Sequence, residues 1–100
     1  MKLLAILRPC DDTNARSAVM KHASEELRAL WDLYRTGDVR EMYSPGGPGA
    51  ILVLESESVK AAAEQLANLP LLANGIMSLE LIELHPFGAM QMLFSDQNGA

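Results

Sequence analysis

Glu26 is the residue of this chain best placed to do chemistry. Between Asn14 and Thr36 the apolar residues Val19, Ala23, Leu27, Leu30 and Tyr34 recur at helical spacing. At roughly 100° per residue, Glu26 falls about 20° from Val19 and about 40° from Leu30, whereas Glu25 points toward solvent. A carboxylate on an apolar stripe is costly unless it is paired or kept neutral, and such groups concentrate where protons are moved. Walls from Val19, Leu30 and a sheet would raise its pKa toward working pH. One carboxylate can then remove a proton alpha to a carbonyl and return it elsewhere. The enolate that develops needs a donor or a cation. Arg40 is the candidate, either there or as the holder of a substrate carboxylate. Glu26 and Arg40 are therefore the candidate catalytic residues. His22, Tyr34, Tyr43 and Trp31 are the candidate substrate-binding residues, the tyrosines as hydrogen-bond donors and Trp31 as an aromatic wall.

Each of these residues also has a plainer reading. His22 and Glu26 stand four apart on one helix face, so their side chains can meet. The pair can be a hydrogen-bonded link at the edge of the stripe, a tuned acid/base pair, or part of a metal site. A metal would need a third ligand; His85 is one by type, but His-Pro at a strand end fixes a turn. No metal and no cofactor is expected. Arg40 can equally be a surface strand residue paired with Glu41 or Glu26, and Trp31 can be packing at the edge of the core. The glycines of Ser44–Gly49 (SPGGPG) sit between two strands rather than between strand and helix, which makes a hairpin turn and not a phosphate loop. With two histidines and no nucleophile placed by motif, no Ser–His–Asp arrangement can be argued.

The elements that must position Glu26 read clearly. Residues 2–8 (KLLAILR) form a strand stopped by Pro9. Asp11, Asp12, Thr13 and Asn14 offer N-caps to the helix that runs to Thr36, and Gly37 is its C-terminal glycine. Residues 38–44 alternate as a second strand, with Val39, Glu41 and Tyr43 on one face. Residues 50–55 (AILVLE) form a third strand across the hairpin turn. Ser56 or Ser58 caps a second helix over 59–69, which Pro70 ends, and residues 71–75 connect to a last strand over 76–85. The order βαββαβ predicts an α+β ferredoxin-like plait: a four-stranded antiparallel sheet with two helices on one face. The domain spans 1–88; residues 89–100 form a C-terminal tail that is partly disordered.

The strands also test what lies on the other face. A sheet with one wet face alternates apolar and polar residues, but LLAIL, AILVL and parts of IMSLELIEL are apolar on both sides. The second face must be covered, and with two helices available the simplest cover is a second subunit. The expectation is a homodimer with two sheets face to face, a dimeric α+β barrel, with residues 90–94 reaching across to the partner. A hydrophobic share of 49% in 100 residues points the same way.

Composition excludes other classes. A formal net charge of −5 with eight scattered basic residues argues against nucleic acid. No apolar run approaches the length of a membrane span, and the opening MKLLAILRPC is too short in its apolar part for a secretion signal. A lone cysteine, Cys10, allows neither an internal disulfide nor a thiolate cluster. A cytoplasmic setting fits.

Beyond these readings, the chain resembles the muconolactone isomerase family of small dimeric α+β barrel proteins. The resemblance lies in Glu25-Glu26 followed by Gly37, in Arg40 with Tyr43 near the end of the second strand, in LESES after the third strand, in Leu69-Pro70-Leu71, and in Leu79-Glu80-Leu81 followed by His85-Pro86. It covers roughly residues 2–86. It implies a shift of a double bond within a five-membered lactone in the catabolism of aromatic compounds, with the proton carried by a carboxylate on the first helix, at the position of Glu26. The partner it implies is a small apolar or aromatic-derived molecule. The chain departs from the family pattern at Ala23, where members carry basic character before the paired glutamates, and in its Pro/Gly-rich hairpin.

Overall fold

The computed structural model describes residues 1–94. Four strands, β1 (Lys2–Pro9), β2 (Val39–Tyr43), β3 (Ala50–Glu55) and β4 (Met77–Leu84), form one sheet in the order β2-β3-β1-β4, with every neighbouring pair antiparallel. Helices α1 (Ala15–Arg35), α2 (Val59–Leu66) and α3 (Pro70–Ala73) complete the chain order βαββααβ. This is the ferredoxin-like plait expected from the sequence, with one element more. Pro70 does not simply end a long second helix. It opens a short third one, because a proline at the first helical position surrenders an N–H that would have no partner there.

The core lies between the sheet and the helices. Leu3, Ala5 and Leu7 from β1, Leu52 and Leu54 from β3, Val39 and Met77 meet Ala62, Leu66, Leu69 and Leu71 from the α2–α3 segment. Alternation along β1 and β3 directs these residues to one face and leaves Leu4, Ile6, Ile51 and Val53 half-buried on the other. Ser58 caps α2 by accepting a hydrogen bond from the Ala61 N–H at 3.0 Å, and Gly37 leaves α1 at φ +88°.

Two sequence expectations need correcting. The register of β2 against β3 shifts between Val39 and Glu41. Val39 pairs with Leu54 on the core side, while Glu41 and Tyr43 pair with Val53 and Ile51 on the open side, so these three do not share a face. The bulge at Arg40 inserts the extra residue that reverses them. The stripe of α1 is also rotated. Leu27 and Tyr34 are exposed, and the inward line runs through Val19, Ala23, Glu26, Leu30 and Leu33. Glu26 is thus at the centre of the buried face.

Past β4 the chain forms a 3₁₀ turn at Gly88–Gln91, and every residue from Ile82 to Phe94 is exposed. The disorder expected at the end of the tail concerns residues 95–100, which lie outside the described residues.

Candidate active site

Glu26 is 6% exposed, and it is the buried charged residue of the described chain. Its Oε1 accepts a hydrogen bond from the Leu71 backbone N–H at 3.0 Å. That donor exists because α3 begins at Pro70: the first N–H groups of a helix have no partner within it, and the one at Leu71 is turned toward α1. The second carboxyl oxygen is not sealed without a partner, and the residue lines a cavity of about 250 Å³. The other walls are Val19, Ala23, Leu27 and Leu30 from α1, Leu7 and Met77 from the sheet, Leu71, and Gly49-Ala50 at the end of the hairpin. Leu27, 66% exposed, marks the mouth. An apolar cavity of about 150 Å³ is known to hold benzene, so this one accommodates a single ring with small substituents.

Burial holds the Glu26 pKa above its ordinary value, because the apolar walls strip water from the charged form. The Leu71 N–H and the nearby His22 both act in the opposite sense and are outweighed. The outcome is a carboxyl with a raised pKa, one oxygen held by the backbone, on a residue that lines the cavity.

The structure does not bring the remaining candidates to this cavity. His22 lies one turn before Glu26, half-buried, on a neighbouring groove with Lys21 and Asn74. Among the described residues no hydrogen bond joins it to Glu26. Arg40 donates from Nε to the Gly37 carbonyl at the far end of α1, and the last residue of α1, Arg35, is roughly 14 Å along the axis from Glu26. The expected Arg40–Glu26 constellation is therefore corrected: the bulge in β2 and the Gly37 turn direct the guanidinium to the helix terminus. Tyr43 donates its hydroxyl to Glu41 on the open face, which raises its pKa. Trp31 and Tyr34 pack against each other on the exposed side of α1, ring centroids 5.9 Å apart. His85 sits with Glu83 at 3.1 Å, exposed, and among the described residues no group of three metal-ligating side chains forms.

Sequence reasoning missed Leu71 as the donor to Glu26 and Gly49-Ala50 as walls. Leu-Pro-Leu carried a usable signal for the first, since proline at a helix start implies free N–H groups just after it.

With this geometry established, the solved structures provide a comparison. The fold is that of muconolactone isomerase, with a TM-score of 0.65, 25% identity, and coverage of 87% of this chain and 93% of that one. It is also that of the dehydrochlorinase of 5-chloro-2-hydroxyhydroquinone from Burkholderia phenoliruptrix AC1100, solved with 2,5-dihydroxybenzoquinone, at TM-score 0.63, 16% identity, and coverage of 83% and 93%. The family resemblance carried by the sequence is thus met by a muconolactone isomerase-like α+β fold. No protein-family model and no curated protein sequence matches the chain.

Proposed function

We propose that this protein is a muconolactone isomerase-like, cofactor-independent isomerase that moves a proton, and with it a double bond, within a small lactone or a related ring of aromatic catabolism. The observation that carries this reading is Glu26, buried among the apolar walls of a cavity it lines and fixed by the Leu71 N–H. Both structural neighbours act on small rings by their names, and one was solved with a quinone. In the reaction the free oxygen takes a proton from the carbon alpha to the ring carbonyl, the C–H electrons pass into the enolate, and the same proton returns to a carbon further along the conjugated system. A carboxyl whose pKa is raised suits both halves of that transfer. Replacing Glu26 with Gln keeps shape and the Leu71 hydrogen bond but removes the base. Turnover of a butenolide substrate is expected to fall by at least about 100-fold, the lower range for losing a general base, and unchanged turnover would refute the reading.

A second reading has its own support. Arg40, Tyr43, Trp31 and Tyr34 stand away from the cavity, which favours a non-catalytic binding or assembly protein with Glu26 as a structural partner of Leu71. Tight ligand binding without proton exchange into the ligand from deuterated water would select it.

The proposal includes a homodimer. Across the open sheet face run Tyr43, Ile51 and Ile6, then Val53, Leu4 and Ile82, with Leu84 beyond. This apolar band, rimmed by Glu41, Glu55, Lys2 and the Arg8–Glu80 ion pair, is the kind of surface that a second copy covers. The exposed Cys10 thiol suits a reducing, cytoplasmic compartment; among the described residues no helix is long and apolar enough to cross a membrane.

A further inference from the structure

The cavity that contains Glu26 has a consistent chemical character. Every other lining residue is apolar or glycine, and Ala23, one helical turn before Glu26 and on the same face, contributes only a methyl group. The cations nearest in the chain stand outside: Arg28, two residues on, is exposed and does not line the cavity. Arg16 lines a shallow groove beneath the hairpin with Met20 and Pro48, sharing only Val19 with the cavity, and Lys21 and His22 flank the groove on the other side of α1. Arg40 is tied to the Gly37 carbonyl.

We infer that the Glu26 cavity selects an uncharged, single-ring ligand and rejects a carboxylate of the same shape, and that Ala23 sets this preference. A ligand carboxylate seated here would lose its water to apolar walls and would face the carboxylate of Glu26 with no cation between them. Two like charges about 6 Å apart in an effective dielectric of about 20 weaken binding on the order of 100-fold. A neutral ring meets neither obstacle. It gains apolar contact with Val19, Leu30, Leu71 and Met77, and it can present a hydroxyl or an acidic C–H to the free Glu26 oxygen. This deepens the proposed function by naming its substrate class, and it rests on that reading only in taking the cavity as the ligand site.

The test uses two probes of nearly equal shape: a butenolide bearing a carboxymethyl arm, and the same butenolide with the arm as its primary amide. Affinities are measured by titration calorimetry on the full chain at neutral pH. The amide is expected to bind at least about 30-fold more tightly, a conservative share of the hundredfold above. Glu26→Gln should narrow that ratio, because it removes the opposing charge, and Ala23→Lys should reverse it by supplying a cation. Circular dichroism confirms that both variants fold. Equal or tighter binding of the carboxylate to the unmodified protein overturns the inference. If Arg16→Ala then abolishes that binding, the groove beneath the hairpin is the anion subsite instead. Absence of binding by both probes also overturns it. Selective binding of the amide with no deuterium exchange into it leaves the selectivity standing and refutes the isomerase reading alone.

Discussion

Gly49 ties the hairpin to the cavity, and its replacement by alanine gives a sharp test of that junction. The residue has φ +129°, and an added Cβ would lie 2.5 Å from the Leu7 carbonyl oxygen and 3.3 Å from Pro45 Cγ. The carbonyl is backbone in the central strand of the sheet and has little freedom to retreat. A non-glycine residue at such a φ costs roughly 1–3 kcal/mol, and overpacking against a fixed neighbour about 1–3 kcal/mol more. Taking about 3 kcal/mol in all, and about 4–8 °C per kcal/mol for a domain near this size, Gly49→Ala should lower Tm by about 12–24 °C. Gly47 sits in the same turn with open space around it, so Gly47→Ala should stay within about 0.5 kcal/mol of the parent protein. Differential scanning calorimetry on the pair separates the specific clash from a general effect of alanine in the loop. Because Gly49 and Ala50 line the Glu26 cavity, the Gly49 variant should also lose ligand affinity. Matching melting temperatures for the two variants would refute the close approach of the hairpin to β1.

Further outcomes follow from the same structure. The Glu26 pKa is raised in the folded chain from its ordinary 4.5; its contribution to stability is therefore complete below that value and is lost as pH rises through the folded pKa. Glu26→Gln is expected to be more stable than the parent at about pH 8 and to lose that advantage at about pH 4; a difference in Tm that does not vary with pH would contradict this. Leu66, 1% exposed on the inner face of α2, should cost about 2–5 kcal/mol as alanine in urea unfolding, and a loss under about 1 kcal/mol would mean α2 is not packed as described. Ile6→Asp places a charge in the middle of the open sheet face; light scattering is expected to give a dimer mass for the parent and a monomer mass for the variant, and an equal mass for the two would remove the face-to-face pairing.

Much of the fold was legible because its signals are local. Pro9, Gly37 and Ser58 act within a few residues of themselves and bound the elements as expected, whereas at the start of α1 Asn14 takes the N-cap position without a side-chain capping bond. What the sequence does not carry is pairing between distant segments. Spacing alone puts Leu27 and Tyr34 on the α1 stripe, whereas the rotation of the helix follows what it packs against. Alternation alone puts Glu41 and Tyr43 on the face of Val39, whereas the bulge that reverses them is set by the register with β3.

Glu26 shows the division most clearly. Its place on an apolar helix face, and hence the expectation of a buried carboxyl, follows from helical periodicity, which depends only on spacing along the chain. Its hydrogen bond comes from Leu71, forty-five residues away, its walls come from β1, β4 and the hairpin, and the separation of Arg40, Tyr43 and Trp31 from it follows from strand register and helix rotation. The sequence alone determined that this helix would bury an acid. The packing of the helix against α3 and the sheet decided which donor holds that acid and what surrounds it, because contacts between distant segments depend on how whole elements fit together and not on any one stretch of residues.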